Sequence, residues 1–162
     1  MSKGYNTFTQ NGKDWEEGIN YERLRRERLQ RTRDAMAKNG FGAVIVHRAE
    51  NIRYITGIRS QMQRPGRDQY WTVLPIEGEP WHFELGGDLG RVKENAPWMA
   101  GRLGPAVPLG DEGPAASDES AVRNVDLYFD QIYKVLKDNG VANQKIGIDT
   151  FTLQMFNKLV AS

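Results

Sequence analysis

Polar and apolar positions first settle into a clear period at Tyr21. From there to Asn39 the apolar or small residues Tyr21, Leu24, Leu29, Thr32, Ala35 and Met36 recur at helical spacing, and Asn39-Gly40 supplies a left-handed stop. This is an amphipathic helix. Ala43 to His47 is a continuous apolar run of strand length, as expected of a strand covered on both faces. Asn51 to Ile55 then keeps helical spacing for one turn and Thr56-Gly57 closes it, so a short helix is expected after the strand. Residues 58–69 read as a polar loop with a Pro65-Gly66 turn.

Tyr70 to Pro75 and Pro80 to Leu85 are aromatic-rich, β-branched runs joined by Ile76-Glu77-Gly78-Glu79, which predicts an antiparallel hairpin. Gly86-Gly87-Asp88 opens a helix to about Asn95, with Asp88 as its expected cap and Pro97 as its end. Leu103 to Leu109 carries two prolines and suits only an edge strand, and Gly110 to Ser117 is turn material. Ser117 or Asp118 can cap a helix whose Val122, Val125, Leu127, Phe129, Ile132, Val135 and Leu136 form a broad apolar face, stopped by Asn139-Gly140. Lys145 to Asp149 is a further short strand. Asp149 or Thr150 is then placed to cap a last helix from Phe151, which reaches Ser162 without a stop signal and reads as a cut end. The element order predicts an α/β fold, a mixed sheet with helices on both faces.

Composition narrows the chemistry. A chain of 162 residues suits one domain, here 21–162, preceded by a polar arm at 1–20 without period. No apolar run approaches the length of a membrane helix or a signal segment, so a cytoplasmic protein is expected, without a membrane partner. The absence of cysteine removes disulfides, thiolate metal sites and cysteine nucleophiles together. The formal net charge of +1 gives no global reason to bind nucleic acid. Arg23, Arg25, Arg26, Arg28, Arg31, Arg33 and Lys38 nevertheless make the first helix strongly basic. No base-reading or stacking module accompanies it, so a solvated face or a face against an acidic partner is expected rather than nucleic acid.

Few residues suggest catalysis. His47 and His82 sit at or near strand ends, and His82 and Glu84 share one strand face, but two ligands in a strand do not make a metal site. A half-exposed hairpin face is the reading for that pair. Gly86-Gly87-Asp88-Leu89-Gly90 stands between strand and helix as phosphate loops do, yet lacks the P-loop lysine and the dinucleotide spacing. Asp111-Glu112 and Asp118-Glu119 suit a turn and a helix start. No glycine-flanked serine marks a nucleophile elbow.

The run RLRRERLQRTRDAMAKNGFGAVIVHRAENIRYITGI resembles the start of the creatinase/prolidase amino-terminal domain: a helix with a leading arginine, N-G before an apolar strand, then an N-I-R-Y-x-T-G motif. Asn51, Ile52, Arg53, Tyr54, Thr56 and Gly57 carry the motif, and the hairpin VLPIEGEPWHFEL, a long helix and a KIGID strand follow in order. The likeness covers about 21–160, strongest in the first third. It implies a three-layer α/β/α domain of ribonuclease-H-like topology. In Xaa-Pro dipeptidases, aminopeptidase P and creatinase, such a domain precedes a catalytic pita-bread domain, absent here. In the peptidases that second domain holds two metal ions on two aspartates, a histidine and two glutamates. None of those ligands can be carried over. The implied protein is therefore the non-catalytic part of a metal-dependent hydrolase, with Mn, Co or Zn in the missing domain and none in this chain.

Its implied partners are its own catalytic domain and a second copy of itself, and the chain alone is expected to be inactive. The resemblance also implies that the loop Ile58 to Trp71 reaches a neighbouring subunit's active site. Arg59, Arg64, Arg67 and Trp71, with Arg53 and Tyr54, are then the substrate-contact candidates, while Asn51, Ile52, Thr56 and Gly57 are scaffold. A free-standing interaction module of the same fold is the alternative.

Overall fold

A computed structural model describes residues 18–58, 70–107, 109, 118–150 and 153–161. Helix α1 (Tyr21–Asn39) begins where Asn20 accepts a hydrogen bond from the Arg23 N–H at 2.9 Å, and ends on Gly40 at φ +69°. Both ends follow from side chains that satisfy or turn the backbone where the helix cannot. Next come β1 (Ala43–Val46), α2 (Ala49–Thr56), β2 (Trp71–Pro75), β3 (Trp81–Glu84) and α3 (Gly86–Asn95). A single 3-10 turn at Pro97–Met99 leads to β4 (Leu103–Pro105), α4 (Asp118–Asp138), β5 (Ile146–Ile148) and α5 (Leu153–Ala161).

The five strands form one mixed sheet in the order β4-β3-β2-β1-β5. Strand β2 runs antiparallel to both of its neighbours, β1 and β3, whereas β5 runs parallel to β1 and β4 parallel to β3. The strand period of two then sorts the core into faces. Ala43, Ile45, Trp71, Val73 and Phe83 point to α4, where Val125, Tyr128, Ile132 and Val135 meet them with Met155 of α5. Val46 and Leu74 point the other way, onto Met36 of α1 and Ile52 and Ile55 of α2. A smaller cluster of Ile58, Val92, Ala96 and Met99 packs around α3. This is the expected mixed sheet between helical layers.

Trp71 lies at the centre of the larger core, stacked on Phe83 at 5.4 Å between centroids and edge-on to Tyr128 at 4.8 Å. Each such pair adds roughly 0.5–1.5 kcal/mol beyond area burial. No helix among the described residues is long and apolar enough to cross a membrane.

Several local expectations change. The edge strand is only Leu103–Pro105, because a proline cannot donate to a ladder. Helix α2 starts at Ala49, two residues before the expected start, so Asn51 lies inside its first turn. Asp88 does not cap α3: that helix begins at Gly86, and the carboxylate of Glu84 accepts the Leu85 N–H at 3.0 Å. Finally, the face bearing His82 and Glu84 is not half exposed, for both side chains are completely buried.

Candidate functional site

The segment from Glu50 to Gly57 is held at both ends. Near its start the Asn51 amide donates to the Asp149 carboxylate at 2.9 Å. At its finish the Thr56 hydroxyl donates to the Ile52 carbonyl at 2.7 Å and accepts the Ile58 N–H at 3.0 Å. The Trp98 indole N–H adds a bond to the Thr56 carbonyl at 2.8 Å, and Gly57 turns the chain at φ +75°. Thr56 therefore bonds backbone, whereas Asn51 bonds a carboxylate nearly a hundred residues away. Ile52 is fully buried between α1 and the sheet.

Asp149 organises the ends of the parallel pair β1 and β5. Its carboxylate accepts the backbone N–H of His47 at 2.9 Å and of Arg48 at 3.1 Å, in addition to Asn51. His47, itself buried, faces the same carboxylate through Nδ1 at 3.4 Å and meets the Tyr128 hydroxyl through Nε2 at 2.9 Å. Burial alone would raise the Asp149 pKa. The contacts with His47 and Asn51 and the two backbone donors outweigh it and hold the carboxyl well below the usual carboxylate range. Asp149 takes this role at the start of α2 because parallel pairing brings the end of β5 beside the end of β1, while its expected capping of the last helix falls on 151–152, outside the described residues.

On the opposite half of the sheet, Thr72 contacts His82 Nδ1 at 2.9 Å and His82 Nε2 lies 3.3 Å from Glu84. Every donor and acceptor here is engaged within the fold. No group of three or more His, Asp, Glu or Cys able to hold a metal occurs among the described residues. Neither two-member set, His82 with Glu84 or His47 with Asp149, fits a dinuclear metal centre, and no chemical step is derived through one.

The open surface of the domain lies beside Gly57. Arg25 of α1 stacks its guanidinium 3.9 Å above the Trp98 ring, and Arg28, one turn on, lies 5.3 Å above Tyr54. On either side of the Arg25 and Trp98 stack is a hollow, one of about 460 Å³ and one of about 680 Å³. The larger is lined by Arg25, Arg28 and Arg53 above Leu24, Ile58 and Val92.

The substrate-contact candidates are spread differently from the expectation. Arg53 and Tyr54 are exposed on α2, at or near this hollow. Trp71 is fully buried in the core, and both Ile58 and Tyr70, the described ends of the loop, are buried too. Arg59, Arg64 and Arg67 lie outside the described residues, as do Asp111 and Glu112. Sequence reasoning passed over Asp149, Arg25 and Trp98 as site residues. The nearest signal for Asp149 was the KIGID run itself, an acid at the end of an apolar strand.

Comparison with known proteins follows the same lines. The family model described as Creatinase/Prolidase N-terminal domain matches residues 28–162. Among solved structures, an Xaa-Pro dipeptidase from Bacillus anthracis aligns at a TM-score of 0.52 and 13% identity, over 82% of this chain and 30% of that one. A dipeptidase from Pyrococcus horikoshii OT3 aligns at 0.49 and 17% identity, over 83% of this chain and 31% of its own. The N-terminal domain of an Xaa-Pro dipeptidase from Lactobacillus brevis aligns at 0.48 and 16% identity, over 86% of each chain. This chain thus spans under a third of the length of the first two. No protein of curated function matches it significantly.

Proposed function

Because the chain belongs to the Creatinase/Prolidase N-terminal domain family, we propose that it is the non-catalytic amino-terminal domain of a metal-dependent Xaa-Pro peptidase or creatinase-like hydrolase. Its role is to support a homodimer and to bring side chains to the mouth of a neighbouring subunit's active site. The observation that carries this reading is the family match over residues 28–162, in a chain where, among the described residues, the buried His47, His82 and Glu84 make their hydrogen bonds within the fold.

Supporting it is the firm hold on the end of α2. Thr56, Trp98 and Gly57 fix the direction of the chain at Ile58, so whatever follows is presented from a firm root. Arg59, Arg64 and Arg67 would there supply guanidinium forks suited to a substrate carboxylate. The catalytic metal pair, Mn, Co or Zn, belongs to the partner domain.

The first test is incubation of this chain with an Xaa-Pro dipeptide and Mn²⁺ or Co²⁺. No turnover is expected, and turnover would overturn the non-catalytic assignment. The second uses a protein in which this domain is followed by its catalytic domain. Replacing Arg59, Arg64 and Arg67 with alanine should raise KM about tenfold while bound metal and dimer mass stay unchanged, tenfold corresponding to one lost contact of about 1.4 kcal/mol. An unchanged KM would overturn the substrate-access role.

A further inference from the structure

The basic helix α1 divides its arginines unevenly. Arg23 pairs with Glu27 at 3.5 Å, Arg26 with Glu22, and Arg33 with Glu79 at 3.4 Å. Arg25, Arg28 and Arg53 make no salt bridge among the described residues. These three line the larger hollow, and none of the described residues that line it carries a carboxylate. Like charges gathered without a counter-charge repel one another, and that repulsion is relieved when an anion arrives.

The arrangement is also prepared for such an anion. A guanidinium lying flat on an aromatic ring keeps its five N–H donors in its own plane, pointing sideways and free, while the stack removes much of its rotamer freedom. Arg25, 3.9 Å over the Trp98 ring, is such a pair; Arg28, one helical turn on and so about 5–6 Å away at its side-chain root, makes a looser contact over Tyr54 at 5.3 Å. Beneath them the floor is apolar, formed by Leu24, Ile58, Val92 and Ala96.

We propose that this groove binds an acidic peptide segment carrying an apolar anchor: its carboxylates pair with Arg25, Arg28 and Arg53, and the anchor fills the floor. The occupant is elongated, because the two hollows share Arg25 and Trp98 and together run along α1. It is a peptide and not a nucleic-acid strand, since Glu22 and Glu79 line the smaller hollow: a peptide can place its uncharged residues there, whereas a strand of phosphates carries a charge at every step. The inference is independent of the proposed peptidase role. Leu24 and Arg25 precede the residues matched to the family, which begin at position 28.

The experiment is fluorescence anisotropy with the full 162-residue chain and a fluorescein-labelled peptide of Asp and Glu flanking a central Leu-Phe pair. Saturable binding is expected, weakened at least tenfold in the double variant Arg25→Gln, Arg28→Gln. Arg123→Gln on α4 should leave it unchanged. A counterpart with lysine for every acid, or glycine for the Leu-Phe pair, should bind at least tenfold more weakly. Circular dichroism checks that each variant is folded. Should the double variant not fold, Arg53→Gln, on an exposed side chain, should still weaken binding at least threefold. No saturable binding by the folded wild type, equal affinity for the double variant or for Arg53→Gln, or equally tight binding of poly(A) RNA would each overturn the proposal.

Discussion

Replacing Asp149 with alanine tests the physical account of the β1 and β5 junction directly. The carboxylate accepts three short hydrogen bonds, from His47 N, Arg48 N and Asn51 Nδ2, at 2.9, 3.1 and 2.9 Å. Hydrogen bonds to a charged group are worth about 1.5–3 kcal/mol each. The low end applies, because the side chain is 14% exposed and water can replace part of what is lost. A cost of about 4.5 kcal/mol follows, or about 9–18 °C in Tm for a chain of this size. Urea denaturation followed by tryptophan fluorescence at pH 7 measures it.

The pH dependence of that difference is the sharper check. The folded-state pKa is depressed, so the stabilisation is complete above the unfolded value of about 3.9 and is lost as the pH falls toward the folded value. Between pH 5 and pH 3 the gap between wild type and Asp149→Ala should therefore shrink by about 1.2 kcal/mol. Subtracting the variant cancels the other carboxyls. A difference under about 1 kcal/mol at pH 7, or one that does not narrow by pH 3, would refute the reasoning.

Tyr128→Phe leaves the Nε2 of buried His47 without its 2.9 Å partner and should cost about 1–2 kcal/mol in chemical denaturation; a loss below about 0.5 would mean that water reaches the ring. Gly57→Ala forces an L side chain to φ +75° and sets its Cβ 2.8 Å from Arg25 Cδ, so a loss of about 1–2 kcal/mol is expected from calorimetry. An unchanged Tm would show that the turn after Thr56 relaxes freely.

Much of the fold was legible because its signals are local. The Asn39-Gly40 stop, the glycine-bearing hairpin and the apolar run at Ala43 each act within a few residues. The bounds of α1 came out as read, Tyr21–Asn39. What escaped depends on parts far apart in sequence. Nothing near Asp149 says that β5 will lie beside β1, and only that pairing delivers its carboxylate to the N–H groups of His47 and Arg48. The His82-Phe83-Glu84 alternation reads as one wet and one dry face, because the α3 cover over the polar side comes from a different period. Arg25 looked like one basic residue among seven, and only the position of Trp98, set by the turn that Pro97 opens, singles it out. Trp71 fell inside the strand read from the pattern, Tyr70 to Pro75, and became a contact candidate only because the resemblance extends the loop as far as Trp71, whereas β2 buries it in the core.

The strand order has a consequence for how the protein is made. Strand β1 gains β2 on one side, and β3 beyond it, within about 40 residues of further synthesis, but its other neighbour, β5, pairs Ile45 with Ile148 and so emerges about 100 residues later. At roughly 5–20 residues per second, the edge of the apolar AVIV segment goes unpaired for about 5–20 seconds on the ribosome. An uncovered apolar edge is a template for the wrong partner. In this chain the interval of greatest danger is set by the translation clock, and slowing elongation between β3 and β5 should lower the soluble yield without altering a single residue.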